Sequence, residues 1–312
     1  MGKRSRVKAS AHSTEQGAVG PRQPCPCGSG RRYKSCHGSS SGGAEVFVPR
    51  PFEGLSGECD LIAMREMVPA ATAPVTLRED PDRVVVLCSL LPMVAPALVR
   101  QDGSIWLGLQ VQHSFGDPSR DLAAVLEAAL VAEPGGMVGL TQPPGAGPRL
   151  QDLLADAPLE VTVHDGFDFW VADVEDPTGQ VHASLESANA AASPTSRLRS
   201  VEAAYWTSVG SKEHLRWVMP YDEERLLSAL ARLHVAGRDG LVDGSRLVGM
   251  FRAHGRLVPV WDLELGTGAE VLEQPAARFE EDLGKALDDE TALSAEERAA
   301  RNGLANRQLT IR

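Results

Sequence analysis

Residues 45–312 are expected to fold as an α+β body, and three observations carry that expectation. A glycine-containing turn at Gln101-Asp102-Gly103 joins two apolar stretches. A second one, His164-Asp165-Gly166, stands later in the chain. The helical patterns around them do not alternate strictly with strands, which argues for antiparallel hairpins packed on helices rather than a doubly wound sheet.

Taken in order, residues 84–99 form the longest uncharged run, sixteen residues interrupted by Pro92 and Pro96. A membrane span needs about twenty unbroken apolar residues, so this run reads as buried strand material. A three-residue loop at 101–103, with Gly103 left-handed, aligns Val99 with Ile105 and Ala97 with Leu107. Leu109 and Val111 continue that face, so apolar residues meet apolar residues. Residues 121–132 are apolar all round, as in a buried helix. Residues 133–148 are rich in Gly and Pro, and a sub-boundary of the body is expected near 133–158.

The His164-Asp165-Gly166 loop aligns Val163 with Phe167, Val161 with Phe169, and Leu159 with Val171. Asp176-Pro177-Thr178-Gly179 reads as a type I turn into a third strand at 180–183, which makes 159–183 an antiparallel meander. Residues 222–234 carry Leu226, Leu227, Leu230 and Leu233 on one helical stripe. A helix at 244–253 and a strand at 257–263 are expected next, then an amphipathic acidic helix at 275–287. Ser294 with Glu297 is a capping-box signature for a last short helix.

Charge divides the chain unevenly. Its 312 residues carry a net −11. Residues 1–38 hold eight basic residues and one acid, a net of +7, which leaves −18 on 39–312. A basic arm on an acidic body often separates a docking element from a folded domain. The total argues against broad nucleic-acid coating. Residues 1–20 lack any apolar period and are expected to be disordered. They also lack the apolar stretch of a secretory signal, so a cytoplasmic protein with thiols or metal ligands, rather than disulfides, is expected. Ser39 to Ala44 reads as a flexible linker.

The strongest motif lies between arm and linker. Pro24-Cys25-Pro26-Cys27-Gly28-Ser29-Gly30 and Arg31-Arg32-Tyr33-Lys34-Ser35-Cys36-His37-Gly38 give the form Cys-x-Cys-x8-Cys-His. Three thiolates and an imidazole at this spacing suit a closed tetrahedral zinc site, and four protein ligands leave no position for a catalytic water. Gly28 and Gly30 permit the chain to reverse. A segment this short has almost no core, so the metal must drive its folding, with about 10–16 kcal/mol apparent in comparable zinc peptides.

The stretch resembles the SEC-C motif, the zinc-binding element at the C-terminal end of the SecA preprotein translocase ATPase. The resemblance rests on the Cys-Pro-Cys-Gly-Ser-Gly start, the Tyr33-Lys34 pair and the Cys36-His37-Gly38 end. It implies Cys25, Cys27, Cys36 and His37 as ligands of one structural Zn2+ in a knuckle at 21–38, and a docking role toward a protein, the ribosome or anionic lipid. It implies no ATPase, since the chain has no G-x-x-x-x-G-K-[ST] loop. The whole chain resembles an actinobacterial family of unknown function that joins such a motif to an acidic body.

Weaker candidates stand beside bland alternatives. Cys88 sits in an apolar run and reads as a small buried hydrophobe; Cys59 lies between Glu58 and Asp60, which would raise its thiol pKa. His164, Asp165 and Asp168 could form an acid–base or metal group, or simply a turn. Trp206, Trp217, His214, Lys212 and Arg216 could line a ligand cleft or an RNA-stacking patch, or belong to a core. The 222–263 run faintly resembles a winged helix, but six arginines there meet six acids. A zinc-stapled docking protein is therefore the expected function. An enzyme carrying the motif as an accessory, and a nucleic-acid-binding regulator using the arm, are the alternatives.

Overall fold

Val85, Leu87, Ile105 and Leu107 are buried while Val86 and Trp106 between them are half-buried, a period of two that makes strands. They belong to a computed structural model that describes residues 22–23, 32–33, 47–112, 114–171, 180–307 and 309. The expected disordered arm at 1–20, the linker at 39–44, the four zinc ligands and the turn at 176–179 lie outside the described residues.

A helix α1 (Glu58–Glu66) opens the described body. Strands β1 (Ala71–Val75), β2 (Val85–Cys88), β3 (Ala97–Val99) and β4 (Ile105–Gly108) follow. Next come α2 (Pro118–Leu130), β5 (Met137–Val138), the single turn α3 (Leu150–Leu153) and β6 (Thr162–Val163). The six strands form one sheet in the order β5-β3-β4-β2-β1-β6, antiparallel except for the β2–β4 pair. The predicted 97–107 hairpin is present in its predicted register: Ala97 faces Leu107, Val99 faces Ile105, and Gly103 has φ +84°. α2 starts earlier than periodicity suggests, because Asp117 caps it through Ser119 N–H and Pro118 occupies its first turn.

After α4 (Gln180–Ala191), strands β7 (Thr195–Arg197), β8 (Ala204–Val209), β9 (Lys212–Trp217), β10 (Arg246–Ala253) and β11 (Arg256–Leu263) build a second, wholly antiparallel sheet, ordered β10-β11-β9-β8-β7. α5 (Glu223–Val235) lies between β9 and β10. α6 (Glu273–Asp288) and α7 (Ala295–Asn306) end the fold. One face of the second sheet packs Leu215, Trp217 and Trp261 against the Leu226–Leu230 stripe of α5 and Phe279 of α6. Its other face, through Tyr205, Val218, Phe251 and Val260, shares a core with the inner face of the first sheet, α1 and α2.

Two elements differ from expectation. Residues 159–183 are not a meander. Val163 and Thr162 instead pair with Ala71 and Thr72, so β6 extends the edge of the first sheet. Residues 168–171 form a 3-10 turn whose Phe169 and Trp170 pack on the outer face of that sheet, and 180–183 begin α4. Gly166 serves a close approach rather than a left-handed turn: a Cβ there would lie 2.6 Å from Asn189 Oδ1, which accepts the Phe167 N–H. Residues 244–253 are likewise a strand and not a helix, which removes the winged-helix reading. His254 and Gly255, at φ +47° and +79°, make a two-residue turn that pairs Ala253 with Arg256. α1 has no amphipathic signature because seven of its nine residues are buried.

Candidate functional site

Cys25, Cys27, Cys36 and His37 lie outside the described residues. At the flanks of the motif, Tyr33 N–H donates to Gln23 O at 2.8 Å, which brings these two positions side by side.

The weaker candidates are placed individually. His164 Nε2 lies 2.8 Å from Thr72 Oγ1, and its ring stacks on Phe169 at 4.5 Å. Burial pushes its pKa below the usual histidine value, which favours the neutral ring. Asp168 turns elsewhere, accepting from Asn189 Nδ2 at 3.3 Å. The aromatic segment 205–220 is the β8–β9 hairpin, whose alternation sends its residues to opposite faces. Trp217 is buried against Trp261 and Phe279. Trp206 Nε1 donates to Glu213 Oε2 at 2.8 Å. On the other face Lys212 and His214 both meet Asp262, each at 3.0 Å, and burial lowers the Arg216 pKa. These five residues do not converge on a cleft. Cys59 and Cys88 are free and buried. Burial pushes the Cys59 thiol up to about 12, the neighbouring acids adding less, and raises that of Cys88 further.

The structure also assembles two groups with no motif to announce them. In the first, acids of α1 reach across to the second sheet. Asp60 accepts Arg197 Nε at 3.0 Å and Nη2 at 2.8 Å, and Tyr205 Oη donates to it at 2.6 Å. Glu58 accepts two bonds from Arg50, both at 2.6 Å, and one from Arg256 at 2.8 Å. Burial raises the Glu58 pKa, but the two guanidiniums outweigh it and the net shift is downward. Burial and Asp60 raise the Tyr205 phenol well above its usual value. Every carboxylate of this clamp meets at least one guanidinium, an arrangement suited to holding two layers together, although Arg256 Nε is buried without a hydrogen-bond partner.

The second group is a cleft at the other end of α1. Its cavity of about 280 Å³ is lined mainly by apolar side chains, including Met93, Val94, Val125 and Leu140. Two charged residues also line it, Arg65 and Asp121. Arg65 is 9% exposed, and its one hydrogen bond among the described residues is Nη1 to Leu109 O at 2.5 Å. Its Nε is buried without a hydrogen-bond partner, and burial lowers the Arg65 pKa. The nearest carboxylate, Glu66 at 3.7 Å, is already engaged by His254 Nε2 at 2.7 Å. Burial raises the Asp121 pKa, and the Phe115 N–H at 2.8 Å opposes that rise.

The cleft rim is strained. Met93 and Val94 have φ +55° and +56°, and a β-branched residue rarely enters that region. Each such residue costs about 1–3 kcal/mol, and strain of this kind concentrates at ligand clamps. Met93 is 78% exposed beside the apolar cavity. The sequence cue for both groups is ionisable residues inside apolar stretches: Glu58, Asp60 and Arg65 around Leu61-Ile62-Ala63-Met64, and Asp121 before Leu122.

Comparison with known proteins adds two matches. A SEC-C motif is found at residues 22–39. Among curated proteins and solved structures no match to the chain was found. A family model described as a family of unknown function, DUF5926, matches residues 51–312, which take in both sheets, the Arg65 cleft, all of the α1 clamp but Arg50, and most of the sequence, and the chain therefore belongs to the DUF5926 family.

Proposed function

We propose that this chain is a cytoplasmic zinc-stapled docking protein, in which a SEC-C knuckle and basic arm bind an anionic partner and tether the acidic body to it. The observation that carries the reading is the separation of the two matches: SEC-C at 22–39, and the body family only from 51 onward. The donor set fits zinc, since Cys25, Cys27 and Cys36 supply soft thiolates and His37 a borderline nitrogen. Bound metal would supply the folding free energy that the short segment lacks.

The charge split supports a direction of docking. The +7 of residues 1–38 faces an anionic surface favourably, and the −18 of the rest is repelled by it. The partner is a protein or the ribosome, contacted through 1–38, with a role near protein export or translation. Contact with anionic lipid would be peripheral, because no helix among the described residues is long and apolar enough to cross a membrane.

Crosslinked affinity capture from cells, read by mass spectrometry, tests this. It compares the intact chain with Cys36→Ser and with a deletion of residues 1–44. Ribosomal or export proteins recovered with the intact chain alone support the tether. The same recovery with all three forms removes it.

A further inference from the structure

We infer that the cleft between α1, α2 and the 91–96 loop is a binding site for a free, zwitterionic amino acid with an apolar side chain, a site distinct from the SEC-C reading and independent of it. The geometry points to this ligand in three steps.

The cleft is lined by one cation and one anion that make no direct ion pair, although each feels the other's charge. Arg65 has no Asp121 oxygen within ion-pair distance, and Glu66, which pairs loosely with its Nε at 3.7 Å, is held more closely by His254 at 2.7 Å. A guanidinium 9% exposed with a single hydrogen bond is under-used, because buried cations normally meet several acceptors. Asp121 receives N–H and O–H donors from Phe115 and Ser114, and no cation pairs with it among the described residues. A ligand carrying a carboxylate and an ammonium on one carbon supplies what each lacks.

Next to these two charges the wall is apolar. Met93, Val94, Val125 and Leu140 line a cavity of about 280 Å³, near the lower end of small-molecule pockets at roughly 300–1,000 Å³. That size suits a single amino acid and not a cofactor. A peptide end brings only one of the two charges, so the free amino acid is the occupant that uses both. The exposed Met93 side chain, on strained backbone at the rim, is placed to cover an apolar side chain once it enters, and methionine adapts well to such surfaces.

Isothermal titration calorimetry of the full chain with L-leucine, L-methionine and L-phenylalanine tests the inference. Two truncated probes accompany leucine: 4-methylpentanoate, which lacks the ammonium, and 3-methylbutylamine, which lacks the carboxylate. Saturable binding of at least one amino acid is expected. For leucine, each truncated probe should bind at least tenfold more weakly. Leu140→Trp, on a half-buried loop position outside the core helices, should fill the cavity and weaken binding at least tenfold without unfolding the chain. Asp121→Asn should erase the preference for leucine over 4-methylpentanoate, and Arg65→Met the preference over 3-methylbutylamine. Should Arg65→Met fail to fold, the probe series and Leu140→Trp still decide. No saturable binding by any of the three amino acids overturns the proposal. So does equal affinity for leucine and 4-methylpentanoate, or unchanged binding by Leu140→Trp.

Discussion

Asp60 and Arg197 stand 137 positions apart in the chain and meet in a two-pronged ion pair where α1 abuts the second sheet. Asp60 sits in the first turn of α1, where the helix dipole favours an acid, and is nearly inaccessible to solvent. Tyr205 closes the arrangement by donating to the same carboxylate. Glu58, one turn-edge away, does the same with Arg50 and Arg256. The join between the two halves of the body is thus polar at both ends of α1, where Glu66 meets His254 at the far end, and apolar between them.

Asp60→Ala leaves Arg197, a quarter exposed, without its carboxylate and Tyr205 without its acceptor. This loss is expected to destabilise the chain by about 1.5–3 kcal/mol. Tyr205→Phe, which removes one donor and keeps the ion pair, is expected to cost about 1 kcal/mol. Denaturant melts of the two variants check the order; equal losses would show that the ion pair carries no special weight.

Acid should weaken the fold in two separable stages. His164 has its folded pKa depressed below the ordinary 6.5, so the folded state takes up its proton less readily than the unfolded chain. Stability therefore falls as pH drops through 6.5 toward the folded value. Glu58 is also depressed, below the ordinary 4.5, but here the charged form is the favoured one. Its contribution is fully present above 4.5 and is lost as pH falls through the folded value. His164→Gln should reduce the first stage, which His214 shares, and Glu58→Gln the second, which Glu66, Glu213 and Glu273 share. Thermal melts across pH for both variants read this directly.

The body thiols should be silent. Burial holds Cys59 and Cys88 largely protonated, Cys59 with a pKa up to about 12. N-ethylmaleimide at mildly alkaline pH is expected to leave both unmodified in the folded chain and to label both after denaturant unfolding, as read by peptide mass. Labelling of Cys59 in the folded chain at the rate of a free thiol would contradict the packing of α1.

Local chemistry made some of this fold legible. The Ala97–Leu107 register, the Leu226–Leu233 stripe of α5 and the reciprocal Ser294–Glu297 box of α7 each rest on patterns within a few residues, and each is present. The 159–183 segment was not legible, because its apolar residues answer distant partners: Val163 pairs with Ala71, and Phe169 stacks with His164 and Trp106. At 244–253 a mixed apolar pattern hides a strand whose two-residue turn uses His254 at positive φ, a position usually given to Asn, Asp or Gly. The clamp and the Arg65 cleft carry no motif at all. Their members come from α1, the strands and loops on both sides of it, and only folding brings them together.

In the proposed reading, zinc holds the knuckle and not the body. Metal analysis of the purified chain beside Cys36→Ser and a form lacking residues 1–44 tests it most directly. The account predicts one Zn2+ per intact chain, loss of zinc in both altered forms, and an unchanged melt of the body. Full zinc content in Cys36→Ser, or zinc retained without residues 1–44, would contradict it.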